Sequence, residues 1–324
     1  MITRVAVVGT GLWAEQHTKL FDARGDTELV GVAGRHEERT AERAAKYRTR
    51  GFTSIDRMLD ETQPDLVTVS LPNEHHFEPT LHLIERGVPL LVEKPLVFEL
   101  GQADALLEAA GKQFFAINFN HRYAKTVQRA AAAIERGDLG DLYFATWRFG
   151  GEPGTSAHPH AQIIETQCHA FDMLEYLVGP IASVAAQMTD KSGSGFTTTA
   201  IALEFVNGAV GTLLGSYDSS YAYPRTHYFE VNGDAGRLTI EDTVKRLTIS
   251  RAGKETASVW EAGFFNDEDR DFHATFGGHL DVLLPALFAG EPPPIHASAG
   301  RRALELALAS IESFETGSRV ATAS

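Results

Sequence analysis

The sequence predicts an α/β fold class, with a doubly wound parallel sheet in an N-terminal domain and a mostly antiparallel sheet in a C-terminal α/β domain. The length of 324 residues favours two domains, since one domain takes about 150 residues. In the first third, short aliphatic runs alternate with longer amphipathic segments, which is typical of strand–helix–strand units with parallel strands. Beyond residue 121, short strands follow one another with turn signals between them, which indicates antiparallel meanders.

The first domain is predicted to span residues 1–121. Its buried strands are predicted over 5–8, 29–33, 66–70, 88–92 and 114–117. Its helices are predicted over 12–24, 37–47, 74–86 and 100–110. Gly87 and Gly111 follow two of these helices, as glycines at helix C-termini do.

The second domain is predicted to span residues 122–324. A helix over 124–136 and a strand over 142–149 precede a loop rich in Gly, Pro and His over 150–160, and a helix over 162–177 follows. From 181 to 260, strands are separated by the turn signals Ser192-Gly193, Asn207-Gly208, Asn232-Gly233 and Ala252-Gly253. Two helices near 276–288 and 299–314 end the chain, the last of them able to pack back on the first domain.

Composition excludes several classes of protein. A formal net charge of −14 disfavours nucleic acid and anionic membranes as partners, because phosphate backbones attract clustered Lys and Arg. The single cysteine, Cys168, cannot form an internal disulfide, which favours a reducing compartment. No apolar run approaches the roughly 20 residues of a membrane helix, and Met1 leads straight into a strand. We therefore expect a cytoplasmic protein.

A glycine-rich turn follows the first strand, in the order Gly9-Thr10-Gly11-Leu12-Trp13-Ala14. Glycines at the first and third positions let the backbone turn tightly and approach a pyrophosphate, while the helix that follows supplies amides and the positive end of its dipole. The strand before and the helix after favour dinucleotide binding over a structural turn.

The tip of the second strand reads Val32-Ala33-Gly34-Arg35-His36. A site specific for NAD places Asp or Glu there to bind the ribose hydroxyls, whereas Arg35 can bind a 2′-phosphate as a permanently charged donor. This predicts a preference for NADP, with NAD as the other cofactor. The alternative is that Arg35 is a solvated residue of the first helical turn.

Two groups of residues suggest proton transfer. Glu93-Lys94-Pro95 follows the strand over 88–92, at the edge of the sheet where ligands bind in open α/β folds, and a lysine there can bind a substrate hydroxyl; the alternative is a surface Lys-Pro turn. Helical spacing places Glu165, His169 and Asp172 on one face, where a carboxylate beside a histidine serves a general acid/base; the alternative is a surface pair. No set of residues has the spacing of metal ligands, so we expect no metal.

The combined pattern resembles the glucose–fructose oxidoreductase / inositol dehydrogenase / MocA family over essentially the whole chain. The matching segments are Gly9-Thr-Gly11 with His17, Leu71-Pro72-Asn73 with His76, Glu93-Lys94-Pro95 after Gly87, Asn118 to Tyr123, Glu165 to Asp172, and the stretch over 303–317. The resemblance implies a Rossmann domain and a second domain with a large open sheet. It also implies reversible hydride transfer between a nicotinamide and a secondary alcohol or ketone of a sugar or polyol.

The resemblance also implies roles for individual residues. Lys94 matches the family's catalytic lysine and His169 its acid/base, with Glu165 at a position where the family more usually has Asp. The expected cofactor contacts are Gly9, Gly11, Leu12, Trp13, Gly34, Arg35, His36, Ser70, Leu71, Pro72, Asn73, His76, Glu93 and Lys94. The expected substrate contacts are Asn120, His121, Arg122, Arg148, His158, Thr166, Asp172, Tyr217 and Tyr221, where the tyrosines have ordinary sheet packing as their alternative.

Two other functions are compatible with the same fold. One is a glycosidase that oxidises a sugar transiently, eliminates the aglycone and recycles its bound cofactor. The other is a regulator that senses a dinucleotide without turnover, although Lys94 and His169 together argue against it. The resemblance further implies a homodimer or homotetramer formed through the sheet of the second domain.

Overall fold

The computed structural model describes residues 2–152, 156–191, 193, 195–265 and 267–322, without the side chains of Asp267 and Glu268. Part of the predicted loop over 150–160, and Ser192 of the first turn signal, lie outside the described residues. The chain divides into two compact units, Met1–Phe119 with Phe276–Arg301, and Asn120–Thr275 with Arg302–Ser324. No helix of the described ranges is long and apolar enough to span a bilayer.

The first unit contains a six-stranded parallel sheet in the order β3-β2-β1-β4-β5-β6. Its strands are β1 Thr3–Val8, β2 Thr27–Ala33, β3 Gly51–Phe52, β4 Leu66–Val69, β5 Leu90–Val92 and β6 Phe115–Ile117. Its helices are α1 Leu12–Ala23, α2 Glu37–Lys46, α3 Ile55–Thr62, α4 Phe77–Glu85 and α5 Leu100–Ala110. The strand order reverses between β1 and β4, which is where open α/β sheets bind ligands at their carboxyl edge.

Strand β3 and helix α3 were not predicted from the sequence. Helix α3 had a recognisable start, because the Ser54 hydroxyl accepts a hydrogen bond from the Arg57 amide at 3.3 Å, as N-cap residues do. Its buried residues Met58, Leu59 and Thr62 recur at helical spacing. Strand β3 has two residues, too few for a periodic signal.

The second unit contains a nine-stranded sheet in the order β14-β13-β12-β11-β7-β10-β9-β8-β15. Its strands are β7 Leu142–Gly150, β8 Ile181–Thr189, β9 Thr198–Phe205, β10 Val210–Ser216, β11 His227–Gly233, β12 Gly236–Glu241, β13 Arg246–Arg251, β14 Ala257–Glu261 and β15 Val320–Ala321. The remaining helices are α6 Lys125–Glu135, α7 Cys168–Leu177, α8 Asp267–Arg270, α9 Ala274–Ala289 and α10 Ser298–Thr316. Strands β7 and β10 pair in parallel and the other neighbours are antiparallel. The predicted fold class is confirmed.

The chain returns to the first unit near its C-terminus, which the continuous limits 1–121 and 122–324 do not include. Leu280, Leu283 and Leu284 of α9 are buried in one cluster with Val5 and Val7 of β1. Burying an apolar helix face on a sheet is favourable by about 25 cal/mol per Å². This helix therefore covers the sheet of the first unit, although it follows most of the second unit in sequence.

Candidate active site

The turn after β1 requires glycine at Gly9. This residue has φ +134°, and a Cβ atom there would lie 1.9 Å from the Ser70 carbonyl oxygen. Ser70 is held in place because its amide donates to the Val8 carbonyl at 2.8 Å. Any side chain at Gly9 would therefore separate β1 from the end of β4, so the turn depends on this residue.

The start of α1 fits a pyrophosphate. The first intrahelical hydrogen bond runs from the Glu15 amide to the Gly11 carbonyl at 3.0 Å, so the preceding turn presents backbone amides and the positive end of the dipole. A Cβ atom on Gly11 would meet nothing within 4 Å, and Leu12 is 69% exposed. Open space beside a helix N-terminus is where dinucleotide phosphates bind. Trp13 stacks on Phe276 with ring centroids 5.9 Å apart.

The tip of β2 presents Arg35 and His36 to solvent, while Gly34 is packed so closely that a Cβ atom would lie 2.6 Å from both Thr10 Cγ2 and Thr40 Oγ1. No carboxylate lies at the tip itself. Glu37 and Glu38 follow in the first turn of α2, where their negative charges interact favourably with the positive end of the helix dipole. An exposed guanidinium at this tip suits an anionic group.

Arg43 of α2 contacts the glycine-rich turn. This contact was not predicted from the sequence. Arg43 donates to the Thr10 carbonyl at 3.1 Å and lies 2.5 Å from Glu15 Oε1. Hydrogen bonds from Arg43 and Lys46 lower the pKa of Glu15 to about 2. The contact couples the helix beside the predicted ribose site to the phosphate turn.

A buried polar network lies behind Lys94. Glu93 Oε1 accepts hydrogen bonds from His17 Nε2 at 2.6 Å and from Asn118 Nδ2 at 2.8 Å. Glu93 Oε2 accepts the Lys94 amide at 3.2 Å, and His279 Nδ1 donates to Asn118 Oδ1 at 3.0 Å. Glu93 therefore fixes the backbone of Lys94 from within this network, and its expected contact with the cofactor stays a prediction.

The Glu93 carboxylate stays ionised inside this network. Burial disfavours its charge, but the hydrogen bond and charge of His17, the charge of Lys94 and the Asn118 hydrogen bond together outweigh burial and lower its pKa. A charged group that is buried needs such partners. Lys94 itself is half-buried.

The buried His76 side chain likewise connects two backbone segments of the first unit. Its ring is fully buried, and its two nitrogens lie 2.8 Å from the Pro95 carbonyl and 3.0 Å from the Leu71 carbonyl. Burial lowers the pKa of His76 despite these two carbonyl oxygens. His76 thus joins the segment after β4 to the segment after Lys94. Within the expected nicotinamide wall, Pro72 is exposed, and Leu71 and Asn73 are half-buried.

In the second unit, His169 lies in the first turn of α7 and is 6% exposed. Its ring stacks face to face on His121, with centroids 3.9 Å apart. His121 is 2% exposed, so both stacked rings are buried, and the expected contact of His121 with the substrate stays a prediction. Sequence spacing gave no sign of this contact, because the two residues belong to different elements.

The predicted helix over 162–177 is interrupted. Gln162–Thr166 forms a π-helical turn before α7 begins at Cys168, so the spacing that placed Glu165 on one face with His169 and Asp172 does not apply at Glu165. Glu165 is 7% exposed. Thr166 Oγ1 lies 2.6 Å from the Tyr217 hydroxyl, which brings two expected substrate contacts together. Burial raises the pKa of Tyr217.

Arg122 and Asp172 bind each other. Two hydrogen bonds of 2.9 and 2.5 Å join the guanidinium to the carboxylate, and the Asp172 side chain is 1% exposed. Burial opposes the charge of Arg122, but Asp172 outweighs it and raises the pKa of Arg122. Asp172 is therefore the buried ion-pair partner of Arg122, and its expected role as a substrate contact stays a prediction.

The other expected substrate contacts are dispersed. Asn120 is buried and donates to Thr275 Oγ1 at 2.7 Å. Arg148 donates to the Arg225 carbonyl at 2.7 Å, on the face of β7 opposite to the buried Trp147, because successive strand residues alternate. His158 is half-buried, and Tyr221 is 57% exposed above Gly151.

Acid is expected to destabilise the protein through His227. Burial lowers the pKa of His227 from 6.5 to about 3, so the unfolded chain binds a proton that the folded chain refuses in this interval. Stability should fall with decreasing pH by up to about 1.4 kcal/mol per unit between these values. Urea unfolding across this range should show a shallower fall for His227→Phe, while a His75→Phe control at an exposed position keeps the wild-type slope. An equal slope in all three proteins would contradict the assignment.

Two models of known protein families match the chain. The oxidoreductase family with an NAD-binding Rossmann fold matches residues 3–120, and the GFO/IDH/MocA C-terminal domain matches residues 127–239. The chain belongs to the GFO/IDH/MocA oxidoreductase family. This membership confirms the resemblance read from the sequence and the expectation of a nicotinamide-dependent oxidoreductase.

Relatives of this family member are dehydrogenases. A D-glucoside 3-dehydrogenase from Escherichia coli (strain K12) is 31% identical over 209 residues, and the match spans 59% of each chain. A UDP-N-acetylglucosamine 3-dehydrogenase from Acidithiobacillus ferrooxidans is 33% identical over 311 residues, 94% of this chain and 95% of that relative. A levoglucosan dehydrogenase solved with NADH and levoglucosan has a TM-score of 0.90 at 18% identity over all of both chains, which shows a shared fold.

Proposed function

We propose that the protein is an NADP(H)-preferring dehydrogenase that oxidises a secondary alcohol of a sugar or polyol and reduces the matching ketone. The proposal rests mainly on the placement of Lys94. This residue follows β5, its side chain is half-buried, and its backbone amide is held by the Glu93 carboxylate. Relatives named as sugar 3-dehydrogenases support a carbohydrate substrate. A lysine cation can bind the hydroxyl oxygen and an imidazole can take the hydroxyl proton, so the two groups together suit this reaction.

Each residue has a defined task in this proposal. The Lys94 ammonium binds the oxygen of the reacting hydroxyl and stabilises the negative charge that develops there. His169 accepts the hydroxyl proton in oxidation and returns it in reduction. The bound nicotinamide supplies the hydride acceptor or donor. Thr166 and Tyr217 are proposed to bind further hydroxyls of the substrate, since their own two hydroxyl groups lie together, 2.6 Å apart.

The cofactor preference depends on Arg35. Its exposed guanidinium at the carboxylate-free tip of β2 suits a 2′-phosphate, for which arginine is a strong, planar donor. Arg35→Asp is expected to weaken NADP binding by at least about tenfold and to leave NAD binding equal or tighter, because the new carboxylate repels the phosphate. Calorimetric titration with both cofactors measures the effect. Tighter binding of NAD than of NADP by the wild-type protein would contradict the proposal, and Arg57→Asp on α3 is the control.

A panel of sugars, polyols and keto-sugars tests the reaction itself. Absorbance of the reduced nicotinamide should rise with at least one sugar or polyol and NADP⁺, and should fall with the matching ketone and NADPH. A preparation that binds NADP and shows neither change across the panel would favour the dinucleotide-sensing regulator.

The open face of the nine-stranded sheet is proposed to join copies of the chain into a dimer or tetramer. Phe144, Val210 and Leu214 point to this face and are 36%, 55% and 42% exposed, and Val210 lies beside Phe144 in the register of β10 and β7. Exposed apolar residues grouped on one face are typical of an interface. Sedimentation of Leu214→Lys against the wild type tests this, with a smaller particle expected for the variant.

A further inference from the structure

The His169 ring is confined by a stacked neighbour. The His121 and His169 planes are 8° apart with centroids separated by 3.9 Å. Two rings at this distance are in van der Waals contact over their whole faces, so His169 cannot turn its plane unless His121 moves as well.

His121 is in turn held by the sheet. His227 of β11 lies 5.7 Å from His121, and Trp147 of β7 lies 4.3 Å from His227. We call Trp147, His227, His121 and His169 the ring column. The Trp147 indole donates to Gln167 Oε1 at 3.0 Å, and Gln167 is the residue that precedes α7. The column therefore starts and ends at the helix that carries His169, with two sheet strands between.

The surroundings of the ring column are close-packed. Phe272 lies edge-on to His121 with a centroid distance of 5.2 Å. A Cβ atom on Gly215 of β10 would lie 2.6 Å from Gln167 Cδ, so Gly215 makes room for the residue that anchors Trp147. Packing at this density leaves His121 no alternative position.

We propose that His121 is a positioning residue, whose stacked ring holds His169 in the orientation that proton transfer requires. The inference rests on the proposed acid/base role of His169. A general base transfers protons efficiently when its nitrogen is held at hydrogen-bonding distance and direction. In this role, His121 acts through His169 and not by contact with the substrate.

The test compares His121→Phe with His121→Leu, two apolar replacements of similar bulk. Phenylalanine keeps a flat ring for His169 to stack on, whereas leucine does not. His121→Phe is expected to keep kcat within about threefold of the wild type, and His121→Leu to lose about tenfold or more with little change in KM for the sugar. Circular dichroism and thermal unfolding of both variants confirm that they are folded.

A double-mutant cycle separates this inference from the proposed function. In a His169→Ala background, His121→Leu should cause no further loss of kcat. An equal loss in both backgrounds, a rise in KM with kcat unchanged, or equal activities of His121→Phe and His121→Leu would overturn the positioning role while leaving the proposed function standing. Wild-type turnover by folded His169→Ala alone would overturn the proposed acid/base role of His169, and the positioning role with it.

Discussion

Replacing His169 by alanine is expected to lower kcat by about 10²- to 10⁴-fold, the range over which a general acid/base contributes to catalysis. Lys94→Ala should cause a loss in the same range, because the developing oxygen charge loses its cation. His169→Ala should bind NADPH as the wild type does, since it changes neither the glycine-rich turn nor any other expected cofactor contact. Steady-state kinetics measures the loss, and an NADPH titration measures retained binding.

Matched controls isolate these two groups. His82→Ala changes a histidine of α4 whose side chain is 39% exposed, and Lys112→Ala changes an exposed lysine; both should keep wild-type kcat. If folded Lys94→Ala and His169→Ala proteins both turn over at the wild-type rate, the assignment of the reacting groups is wrong.

The second large effect is expected at Glu93, on stability. Glu93→Ala leaves the buried His17 and Asn118 side chains without their shared acceptor, and breaking a buried charged pair typically costs about 3–5 kcal/mol. Urea unfolding of the variant should show a loss of this size, and Glu108→Ala, at an exposed position of α5, should show almost none. A Glu93→Ala protein as stable as the control would contradict the role of the network.

The pH dependence of this loss has a definite sign. The folded pKa of Glu93 is lowered, so the ionised carboxylate stabilises the folded state fully above the ordinary pKa of a glutamate. That contribution is lost as the pH falls through the folded pKa. The difference in stability between the wild type and Glu93→Gln should therefore be largest near neutral pH and should shrink in acid.

Local signals in the sequence predicted much of the fold and suggested the candidate site residues. Gly9 and Gly11 between a strand and a helix indicated the phosphate turn, and Lys94 after a buried strand indicated the ligand edge of the sheet. Both depend on residues that are neighbours in the chain. The return of α9 to the first sheet depends instead on apolar contacts across some 270 positions, for which no local pattern exists.

The contacts that surround Lys94 and His169 could not be predicted from the sequence. His17, Glu93 and Asn118 come from three separate elements, and His121 stacks on a residue 48 positions away. The π-helical turn at Gln162–Thr166 also changed which face Glu165 occupies, because an extra residue per turn defeats α-helical spacing. The ion pair between Arg122 and the Asp172 carboxylate likewise joins residues from different elements, so no local pattern indicated it.

The stoichiometry of the reaction tests the central claim most directly. Wild-type protein, an active sugar and excess NADP⁺ are incubated, and reduced nicotinamide and oxidised sugar are both quantified over many turnovers. A dehydrogenase gives one NADPH for each keto-sugar formed, with the glycosidic bond, if present, intact. Cleaved glycoside without net NADPH would contradict the account and identify the cycle of oxidation and elimination with a recycled cofactor.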